Sequence, residues 1–240
     1  MDTSRKALRS IGRFWRTNIK RFGVYEKVLP VETTPSRLVP DHIVRPDYLS
    51  GQPLYIGKQP EVKDELQIKG MRCSCSLAAS ILGKVQHFVQ VFYDGYHGDC
   101  SKTFLVGDVD DKGVQLVNVT EECLDQAIKL CGPGVPFCDI GLRIYRMAKK
   151  YKLTVLPAFL GHGIGKYFHG PPEIYHTLNR YPGLMKAGMT FTIEPVLSHG
   201  SDMTVILDDG WTAITEDGAR AAQAEHTVLI TENGAEILTQ

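Results

Sequence analysis

Residues 5–23, RKALRSIGRFWRTNIKRFG, place the apolar side chains Leu8, Ile11, Trp15, Ile19 and Phe22 at spacings of three and four, which gathers them on one face of a helix. Arg5, Arg9, Arg13, Arg16 and Lys20 fall on the opposite side. The period then lapses over residues 28–58, where five prolines predict a linker or an extended arm lying across the domain. Helical spacing resumes at Glu61, and Leu66, Met71, Leu77 and Ile81 predict a long helix. Two β-rich runs flank Asp94-Gly95, the signature of a tight hairpin. In residues 113–131 an amphipathic helix places Leu116, Val119, Cys123, Ala127 and Cys131 on one stripe and ends at Gly132-Pro133-Gly134. A further helix is predicted over about 139–151, and short strands near 153–156, 190–196, 203–207, 212–215 and 225–231. Helices in one block and mostly antiparallel strands in another predict an α+β fold.

A length of 240 residues suits one sizeable core or at most two small domains. Basic and acidic residues balance at 27 each, so the chain as a whole carries no footprint for nucleic acid, and none is expected as a partner. Residues 1–27 depart from that balance, with eight basic residues against Asp2 and Glu26 alone. An Arg-rich, acid-poor amphipathic start has the composition of a mitochondrial transit peptide, and a mitochondrial address is expected; a basic helix lying on a membrane surface or a partner has the same composition. No apolar run approaches the roughly 18–20 residues of a membrane span. None of the cysteines Cys73, Cys75, Cys100, Cys123, Cys131 and Cys138 forms a C-x2-C pair, and they read as buried or incidental thiols.

Candidate chemistry begins at residues 159–170, FLGHGIGKYFHG, where His162 and His169 sit among glycines. Imidazole is a common metal ligand and proton carrier near neutral pH, and glycine lets a backbone come close to a ligand or adopt positive φ. A surface turn with incidental histidines has the same look. Three acids weigh against that: Asp99 at the start of the returning hairpin strand, Glu194 inside an apolar strand, and Glu225 at the head of another. A carboxylate among strand hydrophobes is costly to bury unless paired or metal-bound. Oxygen ligands with one imidazole suit Mn, Fe, Co or Zn rather than a soft-ligand metal.

The motifs GHGIGKYFHGPPEI, GMTFTIEPV and DGWTAITEDGARAAQAEHTVLIT, in this order and spacing, resemble the type 1 methionine aminopeptidases, the mitochondrial form above all, from about residue 40 to the end. The resemblance implies a pita-bread α+β fold holding two divalent metal ions between pseudo-symmetric halves. It implies removal of the initiator methionine from peptides and nascent proteins by metal-activated water. Asp99, His162, Glu194 and Glu225 would be the metal ligands. His169 would hydrogen-bond the scissile carbonyl, Glu194 would help move the proton, and His169 and Trp211 would contact substrate. The partner is then a peptide or nascent-protein N-terminus, and a monomer is expected.

The chain also departs from the family. An aspartate eleven residues before the position of Asp99 is the family's first ligand, and residue 88 here is Phe. Asp94 lies in the hairpin turn and does not replace it. Between Lys84 and Val91 the chain passes directly from helix to hairpin, where the family has on the order of 60–70 further residues, about a quarter of a domain of this size. The expected organisation is a transit peptide over 1–27, an arm over 28–58, and a catalytic domain over 59–240 with a deletion near 84–90 that leaves its N-terminal half incomplete. One ion would keep its ligands and the second would lose one, so one ion per chain and reduced turnover are expected. A catalytically impaired or non-catalytic module that binds peptides or proteins is the alternative.

Overall fold

The computed structural model describes residues 38–50, 56–85, 89–207 and 212–240. The expected transit peptide, residues 28–37 and 51–55 of the proline-rich arm, Phe88 and Trp211 lie outside the described residues. Among the described residues three α-helices form, α1 (Glu65–Val85), α2 (Asp111–Leu130) and α3 (Cys138–Lys150). Eleven strands accompany them: β1 (Val89–Tyr93), β2 (Tyr96–Lys102), β3 (Thr154–Val155), β4 (Gly161–Gly163), β5 (Gly170–Ile174), β6 (Thr190–Ile193), β7 (Val196–Ser198), β8 (Thr204–Ile206), β9 (Ala213–Thr215), β10 (Ala221–Ile230) and β11 (Ala235–Ile237). Every ladder is antiparallel. The main sheet runs β1-β2-β10-β6-β4-β5, with β11 and β7 also on β10 and β3 on β7. The architecture is α+β, as the pattern predicted.

Local chemistry explains most boundaries. The hairpin turns at Asp94 and Gly95, both at positive φ (49° and 85°), the backbone that a two-residue turn between twisted strands requires. Helix α1 starts at Glu65 rather than Glu61 because Asp64 and Gln67 form a reciprocal cap: the Gln67 N–H donates to Asp64 Oδ1 at 2.8 Å, and the Asp64 N–H to Gln67 Oε1 at 2.9 Å. Leu66 and Leu77, expected on its inner stripe, point outward at 77% and 38% exposure. Leu66 lies five residues before Met71, about 140° round a helix, and the buried stripe is Met71, Ser74, Cys75 and Ala78. Helix α2 is capped by Asp110, which accepts from the Gly113 N–H at 2.8 Å and pairs with Arg220 at 2.9 Å. Its predicted stripe of Leu116, Val119, Cys123, Ala127 and Cys131 is buried.

Two layers follow. Helices α2 and α3 cover β6, β7 and β10 through Leu116, Cys123, Ile140, Ile144, Phe191 and Val228. Helix α1 covers the other end through Met71, Cys75, Ile164, Leu229 and Leu238. Strand β10 runs through the centre and pairs with β2, β6, β7 and β11. That central position brings the acid-bearing strands together. No helix among the described residues is long and apolar enough to cross a membrane.

Candidate metal centre

Strand β2 alternates, so His97, Asp99 and Ser101 share one face, and all three are buried. Asp99 is the fourth of seven strand residues, not the first. Glu225 is the fifth residue of β10, rather than its head, and pairs across the ladder with Ser101. Glu194 lies just past the end of β6, in the break before β7 that Pro195 imposes by lacking an N–H. His162 is the middle residue of β4. Three of these residues, Asp99, His162 and Glu225, each offer an atom within 4.8 Å of the others. Glu194 joins them through Oε1, 3.7 Å from His162 Nε2; Asp99 Oδ2 is also 3.7 Å from that nitrogen.

The glycines around His162 serve packing rather than positive φ. A Cβ on Gly161 would strike the Thr192 carbonyl oxygen, and one on Gly163 the Pro171 carbonyl oxygen. The segment is not a surface turn: it forms β4, which pairs with β5 on one side and β6 on the other.

Burial sets the electrostatics. Asp99 is 2% exposed and Glu225 1%, and Asp99 Oδ1 and both Glu225 Oε atoms find no hydrogen-bond donor. Loss of water pushes the Asp99 carboxyl up to about 7 and Glu194 up to about 8, and raises Glu225 well above the ordinary range. Burial, with His169 nearby, pushes His162 down to about 4 and keeps it neutral. Its Nδ1 faces the Gly163 carbonyl oxygen at 3.2 Å and so carries the proton, which leaves the Nε2 lone pair facing two carboxylate oxygens. A lone pair against an ionised carboxylate is repulsive, and a proton on the acid or a cation between the two relieves it. Bonds of about 2.1 Å to one ion would hold ligand atoms roughly 3.0–3.6 Å apart, near the 3.7 Å from His162 Nε2 to the Asp99 and Glu194 oxygens. The residues fit a divalent cation.

Glu194 has two neutral side-chain donors. Thr192 Oγ1 donates to Oε1 at 2.9 Å and accepts the His162 N–H at 3.0 Å, while Gln223 Nε2 reaches Oε2 at 3.3 Å. His169 packs edge-on against His162, ring centroids 4.3 Å apart, at the exposed side of the site. The hairpin residue directly opposite Asp99 is Gln90, whose amide turns to His97 Nδ1 at 3.0 Å. No carboxylate therefore faces Asp99 from the described part of β1, and Asp94 stays in the turn. Thr192, Gln223 and His97 were not marked by the sequence patterns. The two-residue period around Glu194 and Asp99 carried the signal for Thr192 and His97, and Gln223 stands two residues before Glu225.

Residues 85–232 match the family model of metallopeptidase family M24. The chain is 38% identical over 296 positions to methionine aminopeptidase 1D, mitochondrial, of Danio rerio, covering 95% of this chain and 86% of the relative. It is 38% identical over 277 positions to methionine aminopeptidase 1B, chloroplastic, of Arabidopsis thaliana, covering 86% and 74%. Among solved structures, the methionine aminopeptidase of Rickettsia prowazekii superposes with a TM-score of 0.72 at 28% identity, covering 76% of this chain and all of that one. The fold is thus the pita-bread α+β type. An alignment of 296 positions against 240 residues leaves at least 56 positions of the fish relative without a counterpart here.

Proposed function

The chain belongs to metallopeptidase family M24, and from that premise we propose that it removes N-terminal methionine from peptides and nascent proteins, slowly, with one divalent ion held by Asp99, His162, Glu194 and Glu225. The observation that carries this reading is the set of buried carboxylate oxygens without donors beside a neutral imidazole. When bound, the ion supplies Lewis acidity, polarising the scissile carbonyl and lowering the pKa of a water molecule. Asp99 and Glu225 offer bare oxygens and so serve as charge-bearing ligands. Glu194, with both oxygens held by neutral donors, keeps a fixed orientation and takes and returns the proton. His169, at the open side, donates to the substrate carbonyl oxygen and orients it. Trp211 belongs to the substrate contacts in this reading.

Slow turnover follows from positioning. The ion that would hold the substrate's amino group needs a further carboxylate, and residue 88 is Phe while Gln90 faces Asp99. Loss of orientation alone can cost up to roughly 7–11 kcal/mol of barrier. A non-catalytic binding module is favoured only by that loss and by the missing positions. We assign residues 1–27 as a mitochondrial address, 28–58 as the arm and 59–240 as a monomeric catalytic domain with a deletion near 84–90. Cleavage of a Met-Ala-Ser peptide tests the activity reading. The expected rate, at matched metal and soluble protein, is at least ~100-fold below a full-length relative; a rate within a few-fold of that relative contradicts the impaired site.

A further inference from the structure

His176 lies outside every motif that points to the metal centre, two residues past β5, and is 1% exposed. Each ring nitrogen has one partner. Nδ1 is 3.0 Å from the Phe159 carbonyl oxygen, and Nε2 is 3.1 Å from the Glu194 backbone nitrogen. A carbonyl only accepts and a backbone N–H only donates, so the tautomer is fixed: Nδ1 carries the proton and Nε2 receives the Glu194 N–H. Phe159 begins the stretch that leads into β4 and His162. One imidazole thus ties the approach to one candidate ligand to the main chain of another.

Glu194 is where such a tie has an effect. The last ladder pair of β6 is Ile193 with His226, so the sheet does not fix the next residue. Pro195 donates nothing. The Thr192 and Gln223 hydrogen bonds steer the carboxylate, but the backbone at Glu194 sets where that side chain begins. We propose that His176 is a positioning residue that fixes the main chain at Glu194, so that its carboxylate meets a divalent cation together with Asp99 and His162. It touches neither ion nor substrate. The inference rests on the metal-site reading above, since a buried histidine could instead serve packing alone.

Three substitutions separate the two roles. Glutamine extends an oxygen to the place of Nε2, so His176→Gln keeps the acceptor for Glu194. Asparagine puts its nitrogen near the place of Nδ1, so His176→Asn keeps the Phe159 bond and loses the Glu194 bond. His176→Phe keeps the ring and loses both. Partners that orient metal ligands typically change affinity by roughly 10–100-fold when removed. Calorimetric titration with Mn²⁺ of the full chain is expected to show His176→Asn and His176→Phe about 10-fold or more weaker than the parent, and His176→Gln within about 3-fold. If His176→Asn does not fold, His176→Phe against His176→Gln gives the same comparison. With Met-Ala-Ser as substrate, kcat should fall in the same order at nearly constant KM. Equal Mn²⁺ affinity in all folded variants, or His176→Gln as weak as His176→Phe, overturns the positioning role. A parent chain that binds no Mn²⁺ overturns the metal-site reading itself, a result distinct from variants that fail to separate.

Discussion

Replacing Glu225 with glutamine removes one buried acid while keeping its shape. In the metal-free protein Glu225 is 1% exposed, and burial, with Asp99 and Glu194 beside it, raises its pKa well above 4.5. The folded chain therefore holds this proton above the pH at which the unfolded chain releases it. The cost of holding it grows as pH rises above the ordinary carboxyl range. If Glu225 ionises instead, its repulsion with Asp99 at up to 4.8 Å costs at least about 3 kcal/mol at an effective dielectric of 20. The Glu225→Gln variant should accordingly be more stable than the parent by about 3 kcal/mol at pH 8 in chelator. The sign follows from a raised folded pKa: this side chain costs little below about 4.5 and progressively more as pH rises. The advantage should shrink below about 1 kcal/mol at pH 5. Urea unfolding in EDTA at both pH values measures it. Saturating Mn²⁺ should reverse the order, because the ion takes the proton's place in the parent and lacks one carboxylate in the variant. A variant no more stable than the parent at pH 8 in EDTA would refute the reasoning.

Thr192→Val keeps the shape of a fully buried side chain but removes the acceptor for the His162 N–H and the donor to Glu194. It should cost about 1–3 kcal/mol in urea unfolding, and an unchanged midpoint and slope would count against the Thr192 link. Residues 1–30 fused to a fluorescent protein should reach mitochondria, given Arg9, Arg13 and Arg16 opposite Trp15 and Ile19; a diffuse cytosolic signal would dismiss that address.

Some of the fold was legible because the signal is local. Asp94-Gly95 marks its hairpin through two residues that tolerate positive φ, and the α2 stripe is a plain helical period. Strands β4 and β5 were not legible, because Gly161, Gly163, Pro171 and Pro172 read as turn residues and become strand only through close contact with neighbouring carbonyls. Leu66 misled because a hydrophobe near a helix start need not face the core when the cap at Asp64 fixes the phase. The strand 190–196 breaks at Glu194, where Pro195 ends the ladder, and β10 begins four residues before Glu225, so both acids sat differently in their strands than expected. The cost of burying acids flagged Asp99, Glu194 and Glu225 one by one. Their company, with Thr192, Gln223 and His176, depends on cross-strand register that no single segment encodes.

In the proposed function four side chains hold one divalent ion, and this ion supports methionine release. Loading the metal-free chain stepwise with Mn²⁺, while measuring free methionine from Met-Ala-Ser and the ion bound per chain, tests both together. Slow release is expected, absent in EDTA, rising with bound Mn²⁺ and levelling at about one ion per chain. Release that persists in EDTA, or none at any loading, would contradict it.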